Sequence, residues 1–224
     1  MIEVIPSFPA PSFRELEKKI ELVKKYISFF QIDICDGDFV NAVSWPMHEE
    51  DKEKFKKIVS GDEALPFWEE VDFEAHLMIN HPEVLLPDLI LAGFSRALIH
   101  VESKHDFKAC LEIAKEKIEL GISLKIGTPI EKIDEYVEHI SVVQLMGIEH
   151  IGSQGQPFDA RVLEMIRAVK ERYPNVTIEI DGAINKLTAL KMVEAGATRL
   201  APGSFVLKSE NPKEDIMFLK SLSV

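Results

Sequence analysis

Eight short runs rich in β-branched residues recur along the 224-residue chain, with helical patterns between them in which apolar residues fall three and four positions apart. A strand repeats its side-chain direction every two residues and a helix every 3.6, so this chain switches repeatedly between the two. The expected strands are Glu3–Pro6, Phe30–Cys35, Glu74–Met78, Ala97–His100, Ser123–Ile126, Val142–Met146, Val176–Ile180 and Thr198–Ala201. Strands separated by helical crossovers pair in parallel, because each crossover returns the chain to the same end of the sheet. Eight such units in this length predict an α/β protein with a (β/α)8 TIM barrel, a single domain over residues 1–224. A flavodoxin-like open sheet would need fewer units.

Several helices are marked by their ends. Ser12 followed by Glu15 reads as a capping box before the stripe Phe13, Leu16, Ile20 and Val23. Thr128-Pro129 places proline at a first helical position ahead of Ile130, Ile133, Val137 and Ile140. Further stripes are Phe107 to Ile118, Val162-Ile166-Val169, Leu187 to Val193, and Ile216 with Leu219 after Pro212. The longest irregular stretch, Gly37 to Pro46, follows the second strand, where a barrel would carry a lid.

Composition narrows the partners. Hydrophobic residues make up 46% of the chain, enough for a sizeable core. Asp and Glu outnumber Lys and Arg by 38 to 26, a net charge of −12. Nucleic acid and acidic membranes need basic patches, so neither is an expected partner, whereas a small anion needs only a few backbone N–H groups. Cys35 and Cys110 make no CxxC pair, which argues against a disulfide framework or a structural zinc. Residues 1–6 have no basic flank, and the apolar segment 85–94 is interrupted by Pro87 and Asp88, so a cytoplasmic location is expected. Phe67 and Trp68 could form an apolar contact in a homo-oligomer.

In a barrel, chemistry sits where the strands end. Polar residues there are Ser7, Gln31 and Asp33 two apart on one face, His76, His100 with Glu102, Lys125, and Asp181 ahead of Gly182 and Ala183. The last strand runs into Gly203-Ser204, and the sixth into Gly147 to Gly155 with Glu149, His150, Gly152 and Ser153. Lone polar residues often only cap or brace a turn, but their recurrence at strand after strand points to a site, since inward carboxylates are costly to bury unpaired. Cys35 has no adjacent cation to activate it as a nucleophile. Lys125 reads as a side chain reaching solvent rather than a Schiff-base lysine.

Taken in order, Asp33-Ile34-Cys35-Asp36-Gly37-Asp38-Phe39-Val40, Ala75-His76-Leu77-Met78-Ile79, His100-Val101-Glu102, Ile180-Asp181-Gly182-Ala183-Ile184-Asn185 and Gly203-Ser204 resemble the ribulose-phosphate 3-epimerase family. The resemblance extends from Pro6-Ser7 to Gly203-Ser204. It implies an isomerase that inverts the hydroxyl-bearing carbon beside a ketone in a phosphorylated sugar, with Asp33 and Asp181 as acid and base. It also implies a divalent metal (zinc, iron or manganese) held by Asp33, His76, Asp181 and a histidine. In barrels of this type the substrate phosphate would rest on Gly182, Ala183, Gly203 and Ser204, with Gly152 and Ser153 adding donors. Ser7 and His76 would contact the substrate or brace a ligand.

The chain departs from the family at three places. Gln31 stands where the family has a metal-binding histidine, Cys35 replaces a methionine, and the loop after the sixth strand is about one residue longer. Three readings of Gln31 follow. It removes or weakens the metal and donates its amide N–H to the sugar, it coordinates through its harder amide oxygen, or His150 takes over as ligand. The leading function is inversion at C3 of D-ribulose 5-phosphate to D-xylulose 5-phosphate. The alternatives are another ketose phosphate, or a barrel that binds a sugar phosphate without turning it over.

Overall fold

The computed structural model describes residues 2–152 and 155–223. Among them, nine strand segments form one parallel sheet: β1 (Glu3–Val4), β2 (Ser7–Phe8), β3 (Phe29–Cys35), β4 (Asp72–Met78), β5 (Arg96–His100), β6 (Glu119–Leu124), β7 (Val142–Met146), β8 (Thr177–Asp181) and β9 (Arg199–Ala201). The first two segments close the barrel. β1 pairs with β9 and β2 pairs with β3, so one stretch of chain joins both ends of the sheet. Ile5 N–H donates to the Leu200 carbonyl at 2.9 Å on one side, and the Pro6 carbonyl accepts from Gln31 N–H at 3.0 Å on the other. The expected strand Glu3–Pro6 is therefore shorter, ending at Val4, and a second short strand follows Pro6. The break falls at proline, which has no N–H to give a ladder.

The helices are α1 (Phe13–Val23), α2 (Lys52–Val59), α3 (Pro82–Ala92), α4 (Phe107–Ala114), α5 (Arg161–Arg172), α6 (Lys186–Ala195), α7 (Ser204–Leu207) and α8 (Pro212–Ser221). The predicted stripes face the barrel: Leu16, Ile20 and Val23 on α1, Val162, Ile166 and Val169 on α5, Ile216 and Leu219 on α8. Ser12 Oγ accepts Glu15 N–H at 3.4 Å, but the Glu15 carboxylate pairs with Lys18 instead of completing a capping box. Helix α3 shows no clean stripe, because Val84 and Leu91 are exposed among buried Leu86 and Leu89, and it carries Pro87 inside.

Three boundaries differ from the sequence reading. After β6 the chain forms 3₁₀ turns at Ile130–Glu135 and Val137–His139, not an α-helix. Ile130, Ile133 and Tyr136, three apart, suit a helix of three residues per turn, and Ile133 and Tyr136 are the buried ones. Strand β6 starts at Glu119 rather than Ser123. Gly121 permits the close approach there, since a Cβ would lie 2.9 Å from the Val142 carbonyl and 2.6 Å from Leu98. Helix α4 ends at Ala114, four residues short of Ile118, where Glu116 turns to φ +62°.

The barrel interior is polar. Gln31, Glu74, Gln144 and Glu179 are fully buried. Arg96 donates to Glu74 at 2.8 Å, and Arg199 to Glu179 at 3.2 Å, so the carboxylates beneath the mouth have cationic partners.

Candidate active site

The carboxyl ends of the strands open into a cavity of about 450 Å³ lined by Asp33, Asp181, Ser7, Gly152, Gly182, Ala183, Gly203 and Ser204. Met78, Met146, Ile148 and Phe158 supply apolar walls. Eight of the expected site residues thus border one space. Ser153 lies outside the described residues. His76 is fully buried beneath the mouth and does not line the cavity.

Asp33 and Asp181 come from strands on different sides of the barrel and converge on one floor. Gln31 Nε2 donates to Asp33 Oδ1 at 2.8 Å and to Asp181 Oδ2 at 2.9 Å. His76 Nδ1 lies 3.1 Å from Asp33 Oδ1 and 3.4 Å from Asp181 Oδ2. Ser7 Oγ lies 3.0 Å from Asp181 Oδ1, bracing that carboxylate. Burial, and then the neighbouring Asp181 charge, hold the Asp33 carboxyl above the usual carboxylate range. Burial opposes a charge on His76, but hydrogen bonds to Asp181 and Asp33 outweigh it and raise the imidazole to about 10. At neutral pH one cation therefore sits between the two acidic groups.

Directly after Asp181, Gly182 (φ +105°) and Ala183 (φ +54°) turn the chain through the left-handed region. That conformation is unusual for alanine, and such strain concentrates at functional sites. No protein acceptor is met by the backbone N–H groups of Gly182, Ala183, Gly203 or Ser204 among the described residues. Gly182 is also needed for space, since a Cβ would lie 3.0 Å from Ile148.

The loop after β3 is pinned at both ends. Asp36 Oδ1 accepts from the N–H groups of Asp38 and Phe39 at 2.8 Å, and Ser44 Oγ donates to the Asp33 carbonyl at 2.6 Å. Between these anchors Phe39 covers His100 at 5.1 Å, and the Lys125 ammonium lies 4.4 Å from the Phe39 ring centroid. Val40 packs on Cys35 and Met78. Burial, then the Asp33 charge, push the Cys35 thiol up to about 12, so it is no nucleophile.

A family model for the ribulose-phosphate 3-epimerases matches residues 3–207. The chain belongs to the ribulose-phosphate 3-epimerase family. The ribulose-phosphate 3-epimerase of Bacillus subtilis is 31% identical over 96% of this chain and 97% of its own length. That of Schizosaccharomyces pombe is 30% identical over 98% of this chain and 92% of its own. Among solved structures, 3-keto-L-gulonate-6-phosphate decarboxylase from Vibrio cholerae superposes with TM-score 0.70 at 11% identity, covering 98% of this chain and 95% of that one. 3-Hexulose-6-phosphate synthase from Salmonella typhimurium gives 0.67 at 15% identity, covering 97% and 96%. At such identities these structures speak for the barrel alone. The epimerase family is one of isomerases, and the likeness spans the strands that carry Ser7, Asp33, His76 and Asp181.

The metal expected from the epimerase family can be tested on the donor set. Asp33, His76 and Asp181 each offer a ligand atom, all within 4.8 Å of one another, so three ligands converge. The fourth place does not fit. Gln31 turns its –NH2 toward the carboxylates, and its carbonyl oxygen accepts from Gln144 Nε2 at 2.7 Å, away from the cavity. His150 is exposed and is not among the converging groups.

Gln144 is not among the residues expected at the site; its signal in the sequence is a lone amide within Val-Val-Gln-Leu-Met, a strand buried throughout. Ser123, whose hydroxyl donates to Gln144 Oε1 at 2.8 Å, stands in the sequence only as a strand end.

Proposed function

We propose that the protein is a sugar-phosphate epimerase that inverts C3 of a ketose phosphate, with D-ribulose 5-phosphate and D-xylulose 5-phosphate as the leading pair. The observation that carries this reading is the pair of buried carboxylates, Asp33 and Asp181, bordering one cavity that is also lined by Gly182, Ala183, Gly203 and Ser204, whose backbone N–H groups meet no protein acceptor among the described residues.

Epimerisation begins when a base takes the C3 proton. The C–H electrons form the C2–C3 double bond, and the carbonyl electrons move onto oxygen, giving an enediolate. An acid on the other face then returns a proton to C3, and the carbonyl re-forms. Asp181 and Asp33 take these two roles and exchange them in the reverse direction. The raised Asp33 suits the acid, because a neutral carboxyl opposite an ionised one is a workable pair. Gln31 N–H groups and the charged His76 offset the negative charge while a proton is in flight. The apolar walls at Met78, Met146 and Ile148 exclude water, which strengthens those interactions.

The phosphate would rest on the N–H groups of Gly182, Ala183, Gly203 and Ser204, where glycine lets the backbone come close. Gly152 closes the opposite rim, against Val40. Ser7 acts by holding Asp181.

Proton NMR in D₂O with D-ribulose 5-phosphate tests the reading. Deuterium should enter at C3 as D-xylulose 5-phosphate appears, and Asp181→Asn should slow both by about 10²-fold or more. Saturable binding of the sugar phosphate without exchange would instead identify a binding protein that has lost catalysis.

A further inference from the structure

Two buried amides sit end to end between the site and the charged interior. Gln144 Nε2 donates to Gln31 Oε1 at 2.7 Å and to Glu179 Oε1 at 2.7 Å, which uses both of its hydrogens. Gln144 Oε1 accepts from Ser123 Oγ at 2.8 Å. Arg199 donates to the second oxygen of Glu179 at 3.2 Å, which leaves Oε1 facing Gln144. Gln31 then has one orientation open to it: oxygen toward Gln144, both hydrogens toward Asp33 and Asp181.

We propose that Gln144 is a positioning residue that locks the Gln31 amide with its –NH2 between Asp33 and Asp181, so that an N–H bridge holds the acid/base pair and a divalent cation is shut out. Turning Gln31 over would give its oxygen one donor, His76 Nδ1 at 3.3 Å, but would set it against two carboxylates and its –NH2 against the –NH2 of Gln144. A cation could repay the contact with the carboxylates but not the one with Gln144. Turning Gln144 as well would set its oxygen against Glu179. The lock therefore reaches from the cavity floor to the Glu179–Arg199 pair, and the amide-to-amide and amide-to-carboxylate contacts along it pair each donor with an acceptor in this arrangement. The inference deepens the reading of this same site and rests on it for its catalytic consequence, which is metal-independent turnover.

The test is calorimetric titration of the full chain, stripped with chelator, using Zn²⁺ alone and Mn²⁺ alone. Gln144→Leu keeps the volume, removes the lock and frees Gln31 to turn its oxygen toward the ion. Zn²⁺ should bind this variant about tenfold or more tightly than the unaltered chain, the scale typical of groups that orient metal ligands. Adding Gln31→Leu should erase the gain, because the oxygen that supplied it is gone. Gln144→Met gives the same comparison if Gln144→Leu does not fold. One tightly bound Zn²⁺ per unaltered chain, with no gain in either Gln144 variant, would overturn the proposal. So would a gain that survives Gln31→Leu. The C3 exchange assay is read separately: a Zn²⁺ gain with no exchange on any ketose phosphate upholds the lock and counts against the epimerase reading.

Discussion

The Nε2 atoms of His76 and His100 lie 2.9 Å apart inside the barrel, and only one of them can carry the proton between them. The surroundings assign it. His76, raised to about 10, is doubly protonated at neutral pH. Burial, together with the His76 charge, holds His100 down at about 4 although Glu102 pulls the other way, so His100 is neutral. His100 accepts at Nε2 and donates from Nδ1 to Glu102 Oε2 at 3.0 Å. A chain of defined direction thus runs from the acidic groups of the site to Glu102.

Glu102 anchors that chain, and its titration predicts an acid-sensitive stability. Burial would raise its carboxyl, but hydrogen bonds from His100, Thr128 and Lys125 N–H outweigh this and hold it at about 2 against an ordinary 4.5. The folded state binds this proton less readily than the unfolded one. Its contribution is therefore complete above about pH 4.5 and is lost as pH falls toward 2. The shift corresponds to at most about 3 kcal/mol. Urea denaturation at pH 7 should show Glu102→Gln destabilised by up to that amount, and the gap to the unaltered chain should narrow at pH 3.5.

Replacing either carboxylate with an isosteric amide separates catalysis from folding. Asp33→Asn and Asp181→Asn should each slow C3 exchange by about 10²- to 10⁴-fold, the usual worth of a positioned acid or base. Circular dichroism should show each variant still folded, since the amide has the shape of the carboxylate, although the charged His76 loses part of its partner set. A variant that keeps full exchange removes that residue from the mechanism.

Both thiols should be silent in the folded protein. Cys35 and Cys110 are buried, and desolvation pushes each up to about 12. At pH 8 only about 10⁻⁴ of each would be thiolate, so alkylation by iodoacetamide should be negligible until denaturant is added. Rapid labelling of native protein, read by mass spectrometry, would contradict this packing.

Gly121→Ala tests the closeness of β5, β6 and β7. The added methyl would meet the Val142 carbonyl at 2.9 Å and Leu98 at 2.6 Å, and the backbone contact has little room to give. A loss of about 1–3 kcal/mol in chemical denaturation is expected, as for other overpacked cores. At Gly155, in contrast, nothing lies within 4 Å of an added Cβ, so Gly155→Ala should cost only the backbone strain of its φ of +81°.

The sequence by itself determined the alternation of strands and helices, the barrel that follows from it, and the ring of polar residues at the strand ends. These are local signals: a two-residue or 3.6-residue period, a serine before a helix, a carboxylate in an otherwise apolar strand. Asp33, Asp181, Gly182 and Gly203 could be picked out because their positions on single strands imply a common mouth. Only the tertiary structure decided what Gln31 does. Its amide takes its direction from Gln144, 113 residues away, which answers in turn to Ser123 and Glu179. Nothing in the residues flanking Gln31 encodes that direction, because an amide presents a donor and an acceptor of nearly equal size. Only partners brought together by barrel closure can choose between them.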